Sequence, residues 1–154
     1  MNLTLGVDPG KHGAYAFLAP DGAIVHIEDA PPLTGHAIGS WLAALLDDLA
    51  PDTVHVAYVE RVGYMPGQRG AWTFAEGYGA TLGALGALRI PTHTIPPGTW
   101  KKAAGLTGKD KTASRQRACE LWPADAHRFA RVKDDGRAES ALIARHGINQ
   151  GHPA

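Results

Sequence analysis

Leu3-Thr4-Leu5-Gly6-Val7-Asp8-Pro9-Gly10, continuing through Lys11-His12-Gly13-Ala14-Tyr15-Ala16-Phe17, reads as an apolar strand, a tight turn and a second strand. Pro9 and Gly10 bend the chain immediately after Asp8, and Gly10 and Gly13 are expected to take backbone angles that a side chain would resist. The hairpin thus ends a core strand on a carboxylate, beside residues small enough to admit a bulky ligand. An acid at the end of an apolar strand is costly unless it has a partner. A cation is one such partner; a turn capped by the Asp side chain is the plainer alternative, and the hairpin alone leaves both open.

Outward from the hairpin, strands are expected over Asn2 to Asp8 and His12 to Leu18. A Pro20-Asp21-Gly22 turn leads to a third strand, Ala23 to Glu28, completing an antiparallel meander. Pro31-Pro32 ends it. Thr34 can cap a helix through Leu49, with Ile38, Leu42, Leu45, Leu46 and Leu49 on one face. Val54 to Glu60 is nearly continuous in apolar character, the mark of a central strand covered on both faces and paired in parallel. Glu60 repeats the device of Asp8, and in a parallel pair the two ends lie close together. Ala71 to Leu88 is a helix crowded with Gly and Ala, suited to close approach against its own sheet or against a second subunit. Pro91 to Ile95 is a short fifth strand. A short helix around Trp100, Lys101 and Lys102 follows, then a break over Gly105 to Gly108. Lys109 to Leu121 is a helix with Lys111 and Arg115 on one edge, and Phe129 to Lys133 is a loop. The last helix opens at Asp134-Asp135, with Asp135 as its cap, and its tail from Gly147 is expected to fray. Asp135 and Glu139, four residues apart, share a face and repel one another unless a cation lies between them.

The 154 residues form one domain, 1–154, with 44% apolar and 19% charged residues, a globular balance. No stretch approaches a membrane span, no membrane association is expected, and no signal peptide opens the chain. The expected compartment is the cytoplasm, of a bacterial cell or a phage-infected host. Cys119 is the only cysteine, which rules out an internal disulfide and a cysteine-based zinc site. Net charge is zero but unevenly spread. Residues 1–60 carry Lys11 against eight acids, whereas residues 98–133 carry nine Lys or Arg against Asp110, Glu120 and Asp125. An acidic centre beside a basic flank suits cations next to a polyanion; a solvated basic helix explains the flank equally well. Trp41, Trp72 and Trp100 are expected in the core, Cys119 as a packed small side chain and Lys11 as an exposed turn lysine.

Asp8, Glu60 and the pair Asp135 and Glu139 come from three separate elements and bring carboxylate oxygen without cysteine or paired histidine. That donor chemistry suits Mg²⁺ or Mn²⁺. Two such ions roughly 4 Å apart would clamp a phosphodiester for hydrolysis.

The order of elements and three motifs resemble the RuvC-type Holliday junction resolvases of the ribonuclease H-like superfamily, in particular the short phage-encoded branch. Gly6-Val7-Asp8-Pro9-Gly10 is similar to that family's first motif, Val59-Glu60 to its second and Gly136-Arg137-Ala138-Glu139-Ser140-Ala141-Leu142 to its last. Glu139 stands where many relatives have Asp, and the preceding acid lies four rather than three residues back, with Asp134 an alternative to Asp135. Tyr64 replaces a Phe in the loop after Glu60. The resemblance implies an α/β fold, a ribonuclease H-like five-stranded mixed sheet with helices on both faces. It implies a Mg²⁺-dependent (or Mn²⁺-dependent) endonuclease that uses two ions and resolves four-way DNA junctions as a homodimer. Asp8, Glu60, Asp135 and Glu139 would hold the metal, Lys101 and Lys111 would lie near the scissile phosphate, and Lys111 would join the catalytic set. Arg61, Tyr64, Arg69, Lys102, Lys109 and Arg115 are the remaining candidate DNA contacts. The alternatives are a nuclease for other branched DNA or RNA/DNA hybrids, and a catalytically silent nucleic-acid-binding module. An ATP-using enzyme of the actin and sugar-kinase type shares an early Asp-x-Gly hairpin, but it would need a second phosphate loop and about twice the length.

Overall fold

Asn2–Asp8 (β1) runs through the centre of a five-stranded sheet, with Ala14–Leu18 (β2) and Ile24–Asp29 (β3) on one side and Thr53–Glu60 (β4) and Thr92–Ile95 (β5) on the other. The order is β3-β2-β1-β4-β5; β1–β2 and β2–β3 are antiparallel, β1–β4 and β4–β5 parallel. The computed structural model describes residues 1–31, 35–50, 52–61, 63 and 67–151. Among the described residues five α-helices accompany the sheet: Gly35–Asp48 (α1), Ala71–Ala87 (α2), Pro97–Ala103 (α3), Lys111–Leu121 (α4) and Asp135–Asn149 (α5). Thr34, the expected cap of the first helix, lies outside the described residues.

The two-residue period of the strands sorts side chains between two cores. Leu3, Leu5, Val7, Tyr15, Phe17, Ala57 and Val59 face α1 and α2. Ala16, Leu18, Val56 and Tyr58 face the other side, against Ala138, Ala141, Leu142 and Ala144 of α5, Trp100 of α3 and Ala118 of α4. Asp8 and Glu60 fall in step with the second set. Thus the alternation that buries both sheet faces also points both acids toward α5.

Helix α5 lies across β1 and β2, and glycine makes that approach possible. A Cβ on Gly6 would land on the Ser140 carbonyl oxygen and 2.5 Å from the Ala144 nitrogen. A Cβ on Gly136 would strike the His12 carbonyl, and one on Gly147 the ring of Tyr58. Gly147 is therefore a packed residue of a helix that continues to Asn149, not the start of a frayed tail. Gly10 and Gly13 also act otherwise than expected. Neither has a left-handed φ; Gly13 is needed for room, since a side chain there would collide with the Asp8 carbonyl.

Other boundaries shift locally. Helix α4 begins at Lys111 because Asp110 caps it, its carboxylate accepting from the Ala113 N–H at 3.2 Å. Residues expected as loop form short 3₁₀ turns, Pro123–Phe129 and Val132–Asp134. The N-cap of α5 is Asp134, with Asp135 the first helical residue. The small residues of α2 divide between two roles. Gly77 and Ala84 are buried, Ala84 facing Gly39 of α1, whereas a Cβ on Gly79, Gly83 or Gly86 would meet nothing within 4 Å. Trp72, expected in the core, is 83% exposed on that same helix.

Replacing Gly6 by Ala should destabilise the chain by more than about 3 kcal/mol, because the obstruction is helix backbone and cannot rotate away. Urea unfolding of Gly6→Ala beside Gly83→Ala, which faces open space, measures the difference.

Candidate metal centre

Asp8 ends β1 on the face toward α5, its Oδ1 accepting from the Gly10 N–H at 3.1 Å. The register pairs Val7 with Val59, so Glu60 continues β4 beside it. Glu60 is oriented by an indole: Trp100 Nε1 donates to its Oε2 at 2.7 Å. Glu139 projects from α5 and is steadied by Ser114 of α4, whose Oγ donates to its Oε1 at 3.3 Å. Two strand ends and the second turn of α5 thus carry carboxylates on the same side of the sheet, two of them tied by side chains from α3 and α4.

Electrostatics confirm that these groups feel one another. The Asp8 carboxyl is pushed up to about 7, first by burial, then by the negative charges of Glu139 and Glu60, against the pull of the Gly10 N–H and Lys111. Burial also raises Glu139, with Glu60 adding to it, while Lys101, Ser114 and Lys111 oppose the rise. Lys101 and Lys111 are therefore the cations of this site. Lys101 also lies over the Trp100 ring, 5.2 Å from its centroid.

Asp135, the fourth candidate acid, is held by a cation of α4. Its Oδ1 accepts from Arg115 Nε at 2.8 Å, which also commits Arg115, itself only 16% exposed, to a protein partner. Asp134, the alternative to Asp135, is engaged more fully. It is 1% exposed, accepts from the Arg131 backbone N–H and guanidinium, and has Arg137 3.9 Å away. Burial alone would raise its carboxyl; the Arg131 hydrogen bonds hold it below the usual range. Arg137 in turn makes a two-pronged pair with Asp29 at 2.7 and 2.8 Å, tying the start of α5 to the end of β3.

Among the described residues, no three His, Cys, Asp or Glu side chains form a closed ion-binding group. The donor set nevertheless fits a hard divalent cation: Asp8, Glu60 and Glu139 offer only oxygen, and at Asp8 the repulsion of the other two acids outweighs the pull of Lys111. Such an ion, when bound, would supply Lewis acidity and a water acidified for attack on phosphorus.

Of the other sequence candidates, Arg61, Arg69, Lys102 and Lys109 are exposed, and Tyr64 lies outside the described residues. Cys119 is half-buried, as expected, its thiol 3.8 Å from the Ala126 carbonyl. Sequence reasoning missed Trp100 and Ser114. Trp100 is fully buried, as a core tryptophan would be, yet its indole N–H serves Glu60. Only its place beside Lys101 hinted at that role.

No protein-family model and no curated relative matches the sequence. Among solved structures, the chain is similar to RuvC of Thermus thermophilus, with a TM-score of 0.68 at 17% identity over 96% of this chain and 95% of that one. It is similar to the yeast mitochondrial Holliday junction resolvase at 0.59 and 19% identity, over 94% and 77% of the two chains. For the fowlpox virus Holliday junction resolvase the figures are 0.55 and 15%, over 96% and 99%. These likenesses establish the fold as ribonuclease H-like, with the mixed sheet and helices on both faces that the motifs implied.

The raised Asp8 carboxyl has a consequence for stability. Its folded value lies above the unfolded one, so its contribution is complete below about pH 4 and is lost as the pH rises through 7. In metal-free buffer, Asp8→Asn should raise stability at pH 8 by roughly 4 kcal/mol and change it little at pH 4. Urea melts of both proteins across that range read the effect.

Proposed function

We propose that the chain is a Mg²⁺- or Mn²⁺-dependent endonuclease that cuts four-way DNA junctions. The observation that carries this reading is the convergence of Asp8, Glu60 and Glu139 on one face of the sheet, flanked by Lys101 and Lys111. Carboxylates with oxygen donors alone hold divalent ions, and lysines beside them suit a phosphodiester whose charge grows during attack. Trp100 and Ser114 keep Glu60 and Glu139 in their rotamers. Lys111, at the first turn of α4, balances charge at the scissile phosphate and belongs to the catalytic set. Asp135, once released from Arg115, would be the fourth acid able to hold an ion. Exposed Arg61, Arg69, Lys102 and Lys109 continue the basic surface along which DNA would lie. The choice of a junction over other nucleic acids rests on the motifs and on fold likeness to proteins described as Holliday junction resolvases, one of them in complex with a junction (TM-score 0.64, 17% identity).

Two opposed cuts in one junction call for two copies of the chain. The exposed face of α2, with Trp72, Ala75, Gly79, Gly83 and Gly86 at helical spacing, is the surface on which they would meet. In sedimentation, Gly83→Arg should turn a dimer into a monomer.

On a labelled four-way junction with Mg²⁺, Asp8→Asn and Glu139→Gln should reduce cutting to background while gel-shift binding persists. Asp135→Asn should cost less than either. Trp100→Phe should lower the rate roughly 10- to 100-fold, as the loss of a ligand-orienting hydrogen bond does. Binding should weaken steeply with salt. A linear duplex cut as fast as the junction would remove the structure selectivity, and full activity of Asp8→Asn would remove the metal mechanism.

A further inference from the structure

Helix α4 presents two consecutive side chains to α5. Ser114 donates to Glu139 at 3.3 Å, and Arg115 donates through Nε to Asp135 Oδ1 at 2.8 Å. Asp135 and Glu139 stand about one turn apart on the same face of α5, so α4 holds one acid with a neutral group and the other with a cation. Asp8 and Glu60 also accept from neutral donors, the Gly10 N–H and the Trp100 indole. Among the described residues, Asp135 is thus the one of the four acids in an ion pair. That pair is neither sealed nor open. Arg115 is 16% exposed and Asp135 28%, and a single hydrogen bond joins them. Asp134, by contrast, is 1% exposed and held by the backbone and guanidinium of Arg131 together.

A half-buried ion pair is costly to break from one side, because the partner left behind is an uncompensated charge. Asp135 releases Arg115 at low cost only to another cation, and Arg115 releases Asp135 only to another anion. The nuclease reading supplies both. A divalent ion replaces the guanidinium at Asp135. A DNA phosphate replaces the carboxylate at Arg115, which lies one turn beyond Lys111 on the same edge of α4. Either exchange alone leaves one charge bare; the two together leave none. We propose that Arg115 is a latch that ties ion binding at Asp135 to DNA binding: it withholds Asp135 from the ion until a phosphate of the bound strand takes the guanidinium. Such coupling is reciprocal, so the ion tightens DNA binding by the same factor as DNA tightens ion binding. Arg115 is a positioning residue in this scheme, acting on the ion through Asp135. The inference rests on the nuclease reading for the identity of the anion, and its test separates the two.

Ca²⁺ takes the same oxygen ligands as Mg²⁺ with looser geometry. Calorimetric titration of Ca²⁺ into the free protein and into its complex with a four-way junction, less the heat of the junction alone, measures the coupling. Cutting is assayed in parallel with Mg²⁺. Wild-type protein should bind Ca²⁺ about tenfold more tightly with the junction than without it. Arg115→Gln should bind Ca²⁺ about tenfold more tightly than wild type when free, and the junction should add little. Arg115→Lys keeps the charge and should keep the coupling. Arg117→Gln removes one charge from the outer side of the same helix, where Arg117 pairs with Glu120 at 3.0 Å, and should behave as wild type. Should Arg115→Gln fail to fold, the Nε–H resonance of Arg115 in the wild-type protein decides: it should shift when the junction binds. Coupling of equal size in wild type and Arg115→Gln, or an Nε–H unmoved by the junction, makes Arg115 a plain fastening and leaves the nuclease reading standing. Coupling lost in Arg115→Gln, in a wild-type protein that cuts no junction, does the reverse. A protein that binds no Ca²⁺ in either state loses both.

Discussion

The structure depends on how closely one helix can approach one strand. Helix α5 rests on β1 at Gly6, where backbone meets backbone with no side chain between. Every helix packed on a sheet needs apolar contact, and α5 has it through Ala138, Ala141, Leu142 and Ala144. Without Gly6 those alanines would stand too far from β1 to close the core. The same contact sets the height of Glu139 above Asp8. Packing and chemistry are therefore one constraint, and Gly136, seated against the β1–β2 turn, extends it to the first turn of the helix.

That constraint accounts for the arrangement of charge. An acid near the middle of a sheet face would be intolerable beneath a helix, but Asp8 and Glu60 stand at strand ends, where the core gives way to a partly open region. Their cost is reduced by neighbours rather than removed: an N–H from Gly10, an indole from Trp100, the fields of Lys101 and Lys111. By contrast, the ladder from Arg131 through Asp134 and Arg137 to Asp29 is neutralised within the protein. Two clusters of acid lie near the start of α5, one balanced and one not. The imbalance sets the candidate site apart from a fastening.

Much of this was legible in the amino-acid order. The apolar run before Asp8, the second one before Glu60 and the alternation within each strand define both the sheet and the direction of the two acids, because the period of two is a local property. What stayed hidden depended on neighbours remote in sequence. Asp135 and Glu139 share a helix face at four-residue spacing, but nothing local shows Arg115 of α4 reaching Asp135 first. Trp100 reads as core and is core, while its N–H serves Glu60, forty residues earlier. Trp72 reads as core as well, and its exposure follows from the side of α2 that faces away from the sheet. Gly10 and Gly13 suggested unusual backbone angles; their true requirement, at Gly13 above all, is room for the returning chain.

The placement of Glu139 on α5 has a consequence for how the chain comes to possess its chemistry. Four of the five strands meet this helix, which shares one side of the sheet with α3 and α4. A partly folded chain that has paired its strands but not yet seated α5 holds Asp8 and Glu60 without their third companion. In such a chain the sheet face that α5 covers would stand open to water. The three carboxylates come onto one side of the sheet in the same step that completes the interior, so any failure to seat α5 disperses them as well.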